Sequence, residues 1–241
     1  MDIQNKTALV TGANRGIGKA LVQALLSKGA SKVYAAARDI NSLTEVTALD
    51  PKRVQALTLD ITRPDQIAAA VKAAPDVQIL INNAGVLSGG DLLSANIADV
   101  ERDIATNAFG TLAVIRAFVP ALEKNAKSAI VNLLSVVSLA PMPGIAGYSA
   151  SKAALNSFTQ ALRPVLAAKG ISTYGVFPGP VDTDMSKEIT FPKTAAITVA
   201  ENILTGIEAG QDDIYPDPMA AEVGKAWAHD PKAVERQFAA Y

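Results

Sequence analysis

The sequence of 241 residues has no cysteine, so disulfides, thiolate metal sites and a thiol nucleophile are all excluded. It has one histidine, His229, beside Asp230-Pro231 near the end of the chain, which leaves little support for a His-based triad or a zinc site. An excess of either charge is missing too. The 22 basic and 23 acidic residues leave a net charge of −1, with neither a basic tract for nucleic acid nor an acidic tail. No continuous apolar run approaches the ~20 residues of a membrane span. The opening Met1-Asp-Ile-Gln-Asn-Lys6-Thr lacks the layout of a signal peptide. The expectation is a soluble, cytoplasmic protein with no metal, nucleic-acid or membrane partner.

The chain does have apolar material, with 49% of its residues hydrophobic, enough for one buried core. Short apolar runs predict strands over 7–11, 32–36, 54–59, 79–82, 129–134, 172–177 and 213–215. Several are continuous in apolar character, as strands buried on both faces should be. Between them the pattern predicts helices over 15–28, 41–49, 63–74, 97–122, 147–169 and 198–209. Lys28-Gly29 and Lys169-Gly170 are helix stops. Such alternation builds an α/β, Rossmann-type, doubly wound parallel sheet of about seven strands with helices on both faces. With no repeat and no linker, one catalytic domain is expected over 1–218, with a helical tail over 219–241 packed on it.

The first strand runs into Thr11-Gly12-Ala-Asn14-Arg15-Gly16-Ile17-Gly18 and then a helix. Glycines here permit a tight turn and close approach of the backbone to a pyrophosphate, while the helix N-terminus offers free N–H groups. The spacing Gly-x-x-x-Gly-x-Gly differs from the standard dinucleotide fingerprint, so the signal rests on its place after the first strand.

Three residues carry the chemistry: Ser135, Tyr148 thirteen positions later, and Lys152 four beyond that. A Tyr and a Lys four apart share one helix face, which an exposed pair would also do by coincidence. If they face a cleft, a unit charge about 4 Å away at an effective dielectric of ~20 lowers the phenol by about three pK units at most.

Together these residues resemble the short-chain dehydrogenase/reductase family, in its single-domain branch. The motifs occur in family order from Lys6 to Thr183: the glycine turn, Asp60, Asn82-Asn83-Ala84-Gly85, Asn107, Ser135, Tyr148-x-x-x-Lys152 and Pro178-Gly179-x-Val181-x-Thr183. The resemblance implies an oxidoreductase binding NADP (NADPH) through Gly12, Asn14, Arg15, Gly16, Ile17, Gly18, Arg38, Asp60, Ile61, Asn83, Ala84 and Gly85. At the nicotinamide end it implies Tyr148, Lys152, Pro178, Gly179, Val181 and Thr183. Tyr148 would exchange a proton with a ketone or alcohol oxygen, Lys152 would lower its pKa, and Ser135 would orient the substrate oxygen. Asn107 would hold a water that links Lys152 to solvent.

Cofactor choice is read after the second strand, Ala37-Arg38-Asp39. NAD enzymes place a carboxylate there for the ribose 2′-OH, NADP enzymes an arginine near the 2′-phosphate. Ala37 takes the acidic position, and Arg38 and Arg15 favour NADP. Asp39 becomes the ribose ligand only if the strand ends two residues later. Ser138 is assigned to the loop or the substrate wall. Val86-Leu87, Pro141-Met142, Ile145 and Met185, with a short lid over 184–198, predict an open apolar pocket for a small carbonyl or alcohol substrate. The unfamiliar tail leaves a homodimer, a homotetramer or a monomer open. A catalytically silent NADP-binding regulator is the rival reading, and the intact Asn107, Ser135, Tyr148 and Lys152 argue against it. A dehalogenase-like relative is opposed by Lys152 and the glycines.

Overall fold

A computed structural model describes residues 1–125 and 127–241. Strands β1 (Thr7–Thr11), β4 (Ile79–Asn82) and β5 (Ser128–Leu133) are buried along their whole length, which is why they read as apolar runs without alternation. With β2 (Lys32–Ala37), β3 (Val54–Thr58), β6 (Ile171–Val176) and the short β9 (Asp213–Ile214) they form a parallel sheet. Its order is β3-β2-β1-β4-β5-β6-β9. The small strands β7 (Val181–Asp182) and β8 (Thr194–Ala195) pair apart from it. The order reverses between β1 and β4, and a crevice opens there beyond the carboxyl ends of the strands.

Alternate residues feed two cores, as the period-two pleat requires. Ala8, Val10, Ile79, Ile81, Ala129 and Val131 face helices α1 (Gly16–Ser27) and α7 (Ala196–Ala209). Leu9, Leu80 and Ile130 face α3 (Pro64–Ala73) and α5 (Thr111–Leu122), joined by Leu166 of α6 (Ala146–Ala167).

Three predicted helices are subdivided. The 41–49 helix is a 3₁₀ turn, Ile40–Leu43, followed by the single turn α2 (Thr44–Thr47). The helix expected over 97–122 is α4 (Ile97–Ile104), a π-helical stretch Ala105–Gly110, then α5. The whole segment Ile97–Leu122 is apolar and long enough by composition to cross a bilayer. Asp103, Asn107 and Thr111 on it are nevertheless buried against the protein. The tail breaks into α8 (Pro218–His229) and α9 (Pro231–Phe238), because Pro231 cannot continue a helix and Asp230 caps the next one through the Ala233 N–H at 3.0 Å. Val223, Val234 and Phe238 pack on Val136, Val137 and Ala140. At ~1.5–3 kcal/mol per buried apolar side chain, the tail is an integral wall of the molecule.

Candidate active site

Beyond β1 the chain turns through Gly12 (φ 64°) and Gly16 (φ 51°), both in the left-handed region. A Cβ on Gly12 would lie 2.9 Å from Ala84 Cα, so only glycine fits. Gly18 lies under the turn, where a Cβ would meet the Gly12 carbonyl at 2.1 Å. Arg15, the residue before α1, makes no side-chain cap, and no acidic residue stands in the first turn. The helix therefore presents free N–H groups and its positive end to a cleft of about 730 Å³, with Asn14, Arg15, Gly16 and Ile17 on the wall. Asn83 Nδ2 donates to the carbonyls of Thr11 and Gly12, both at 3.0 Å. The Thr11 hydroxyl accepts the N–H groups of Asn83 and Ala84, also at 3.0 Å. The ends of β1 and β4 are locked together where the sheet order reverses. This steric cradle and uncapped helix fit a dinucleotide pyrophosphate.

Beside that end, β2 stops at Ala37 and Arg38 follows, exposed at the cleft wall. Asp39 Oδ1 accepts the Asn41 N–H at 3.0 Å and caps the 3₁₀ turn, so the strand end that would have made Asp39 the ribose ligand is not observed. Asp60 and Ile61 also line the wall. Burial pushes the Asp60 carboxyl up, but the Thr62 hydroxyl and N–H, at 2.7 and 2.9 Å, together with nearby Arg38 and Arg63, outweigh it and hold the carboxyl below its ordinary value. Arg15 pairs with Asp184 at 3.2 Å across the cleft mouth; both are exposed, so the pair is worth ~0–1 kcal/mol and is easily exchanged for a ligand anion.

At the other end, Ser135 follows β5 and starts the 3₁₀ turn Val136–Ser138. Its hydroxyl accepts the Val137 N–H at 3.3 Å and lies 3.5 Å from the Pro178 carbonyl. Ser138 donates to the Ser135 carbonyl at 2.6 Å, which makes it a loop brace. Tyr148 stands in the first turn of α6 and Lys152 one turn later, both at the cleft wall with Gly85, Pro178 and Thr183. Lys152 Nζ lies 5.6 Å from the Tyr148 ring centroid and donates to the Leu133 carbonyl at 2.7 Å.

Here the electrostatics differ from the sequence expectation. Burial raises the Tyr148 phenol well above its ordinary value; the nearby Ser135 hydroxyl pulls it down and Asp103 adds to the rise. Burial pushes the Lys152 ammonium down to about 8, against the opposing charge of Asp103. Burial of the ring outweighs any lowering of the phenol by Lys152, whose ammonium is turned to the Leu133 carbonyl.

Asn107 sits in the π-helical stretch, fully buried. Its Oδ1 accepts the Val86 N–H at 2.8 Å, and its Nδ2 donates to the Val86 carbonyl and the Ser151 hydroxyl, both at 2.8 Å. The side chain is thus a brace between the β4 loop and α6. Gly179 and Val181 lie behind the wall: the Gly179 N–H donates to Asp217 Oδ2 at 2.8 Å, and the Val181 carbonyl accepts from Ser186. Of the expected substrate wall, Val86 and Met185 line the cleft, while Met142 and Ile145 pack against the tail. His229 is exposed in the last turn of α8, and no cluster of potential metal ligands occurs among the described residues.

Sequence reasoning missed Asp217, Ser151, Ser88 and Asp103. Asp217 is buried and also caps α8 through the Ala220 N–H at 2.9 Å, coupling the tail to the Pro178-Gly179 loop. A signal for it existed in Asp217-Pro218, a cap followed by proline. Asp103 stands four residues before Asn107, a spacing that shares one helical face.

The reversing sheet, the glycine turn and the Tyr148–Lys152 pair at the cleft wall define a Rossmann-type oxidoreductase. A family model described as short chain dehydrogenase matches residues 6–193, and the chain belongs to the short-chain dehydrogenase/reductase family. Among curated proteins it is 32% identical to the 3-oxoacyl-acyl-carrier-protein reductase FabG of Vibrio cholerae over 193 residues, 78% of this chain and 79% of that one. Among solved structures it is similar to a short chain dehydrogenase from Burkholderia cenocepacia in complex with NADP, at 39% identity and a TM-score of 0.93, with 99% of both chains covered. A short chain dehydrogenase/reductase from Burkholderia phymatum in complex with NAD matches at 25% identity and a TM-score of 0.86, covering 97% of this chain and 96% of the other.

Proposed function

We propose that the protein is an NADPH-dependent reductase of ketones or aldehydes, and in reverse an alcohol dehydrogenase, acting on small to medium apolar compounds. The observation that carries this reading is that Tyr148 and Lys152, one turn apart on α6, line the far end of a cleft that begins at an uncapped helix N-terminus. When bound, the reduced nicotinamide supplies a hydride to the carbonyl carbon.

The residues of the chain handle the oxygen. Ser135 orients it and stabilises the charge that develops there. Tyr148 donates its phenolic proton to that oxygen. Its raised pKa keeps the phenol protonated at neutral pH, and an alkoxide is more basic still, so the transfer runs downhill. Lys152, with a value of about 8, is mostly protonated at neutral pH and stabilises the phenolate left behind. Asn107 holds the Val86 wall in register with α6.

The preference for NADP is supported by Arg38 just after β2, Ala37 in place of a carboxylate, and the NADP complex of the Burkholderia cenocepacia structure. Assembly as a homodimer or homotetramer is supported by exposed Ile97, Phe109 and Val165 on α4, the π-helical stretch and α6.

The test is a panel of ketones and aldehydes assayed with NADPH and with NADH, on the native chain and on Tyr148→Phe. Turnover with NADPH, weaker with NADH, and a loss of ~10²–10⁴-fold in Tyr148→Phe are expected. Tight NADPH binding with no turnover on any carbonyl would replace this reading with that of a nucleotide-binding regulator.

A further inference from the structure

Beyond β6 the last rung of the parallel ladder is made by a side chain. The N–H groups of Gly175 and Phe177 donate to the carbonyls of Asp212 and Ile214, at 2.9 and 2.8 Å. Gly179 carries the next N–H in that alternating series. By register its acceptor would be the Pro216 carbonyl, but that oxygen takes Asn202 Nδ2 at 2.8 Å. Asp217 Oδ2 accepts the Gly179 N–H instead, at 2.8 Å.

The Pro178 carbonyl belongs to the same peptide unit as that N–H, and it accepts the Val136 N–H at 3.1 Å. One planar group is thus held at both ends, by the tail on one side and by the turn after Ser135 on the other. A Cβ on Gly179 would lie 2.8 Å from Asp217 Oδ1 and 3.3 Å from Met219 Cβ, so the carboxylate reaches the peptide only because residue 179 is glycine. Pro178 lines the cleft beside Tyr148 and Lys152.

Capping α8 does not account for this carboxylate. Oδ1 accepts the Ala220 N–H at 2.9 Å, as a cap should, yet Asp217 is buried, where an unpaired carboxylate is costly. Asp230 caps α9 in the same way from an exposed position. The difference between the two caps is the second oxygen, which at Asp217 is bonded by Gly179.

We propose that Asp217 is a positioning residue for the nicotinamide end of the cleft: its carboxylate fixes the plane of the Pro178–Gly179 peptide, and through it the cleft-lining Pro178 and the turn that presents Ser135. The nicotinamide in this statement rests on the reductase reading above; the hold on the peptide does not. Asparagine and serine still cap a helix, but each offers a single oxygen and cannot serve both N–H groups.

The experiment compares the full chain with Asp217→Asn, Asp217→Ser and Asp230→Ala. Calorimetry gives the Kd for NADPH and for 2′-phospho-ADP-ribose, which lacks the nicotinamide, and NMR gives the exchange rate of the Gly179 amide. In both Asp217 variants the Kd for NADPH should rise about 10-fold while that for the fragment holds, and Gly179 should exchange at least about 10-fold faster. In an active enzyme kcat falls with them. Asp230→Ala removes a cap from the same tail and should move none of these. Equal losses for NADPH and the fragment, or no loss for either, overturn the inference. If neither Asp217 variant folds, the native chain decides: a Gly179 amide as slow as that of Phe177 supports the hold, and one exchanging like an exposed loop overturns it. Absence of carbonyl turnover in the native chain sinks the reductase reading instead, and Gly179 exchange still decides whether Asp217 holds the peptide.

Discussion

Asn107 and Val86 hold each other in both directions: the Val86 N–H donates to Oδ1, and Nδ2 donates back to the Val86 carbonyl, each at 2.8 Å. An asparagine in a helix is unfavourable by propensity, and this one is accommodated where the helix widens into a π-helical stretch. A side-chain amide here does for the loop what a neighbouring strand would otherwise do.

Asn107→Ala therefore leaves a half-buried donor and acceptor of Val86 unpaired and removes the buried bond to Ser151. The expected loss is roughly 2–4 kcal/mol, read from urea denaturation. Asn107→Asp is expected to be nearly as harmful, since its second oxygen would face the Val86 carbonyl without a hydrogen to offer. If Asp were tolerated with no measurable loss, the two-way bond would not be the reason for asparagine.

Cofactor choice turns on Arg38, exposed after Ala37 and close enough to Asp60 to lower that carboxyl. Arg38→Asp should raise KM for NADPH by about 10–100-fold, the loss of a charge-assisted contact worth ~1.5–3 kcal/mol. KM for NADH should fall or hold, because the new carboxylate can accept from a ribose hydroxyl. Paired initial-rate measurements with both cofactors decide it, and an unchanged preference for NADPH would remove Arg38 from the phosphate pocket.

Much of this arrangement was legible. Strands buried on both faces announce themselves as apolar runs, and Lys28-Gly29 and Lys169-Gly170 do end their helices, with both glycines at left-handed φ of 80° and 73°. The ends of β1, β2 and β4 lay within a residue of expectation for the same reason. Asp103 was not legible, since Glu101-Arg102-Asp103 reads as a solvated charge run; in the fold its last member is fully buried and bonded by Ser88. The π-helical stretch leaves no mark in apolar periodicity. Nor could spacing reveal that Lys152, correctly placed one turn from Tyr148, would turn to the Leu133 carbonyl.

The tail offers a test of coupling between packing and chemistry. Phe238 is fully buried and packs in one cluster with Val136 and Val137, the residues that follow Ser135. Phe238→Ala should cost ~3–5 kcal/mol. Because the cavity opens beside the 3₁₀ turn that presents Ser135, kcat should fall more than binding of NADPH. Denaturation and steady-state kinetics on the same preparation separate the two, and native kcat in a destabilised protein would uncouple the tail from the site.

Lys152 makes a prediction in which function and stability oppose each other. Its folded value of about 8 lies below the ordinary lysine value near ~10.4, so between these pH values the unfolded chain binds more protons than the folded one. The sign follows: the penalty for burying the charged ammonium is complete below pH 8 and relieved as pH rises toward about 10.4. Its full size is roughly 3 kcal/mol, and the bond to the Leu133 carbonyl returns about 1 of that. Lys152→Met, apolar and of similar length, should thus be more stable than the native chain by ~1–2 kcal/mol at pH 7, with the advantage vanishing or reversing by about pH 10. Carbonyl reduction should fall by at least about 10²-fold in the same variant. Urea denaturation across that pH range is the measurement. A Lys152→Met protein less stable than native at pH 7 would mean that the ammonium is held by more than one carbonyl and is not a destabilising charge kept for chemistry.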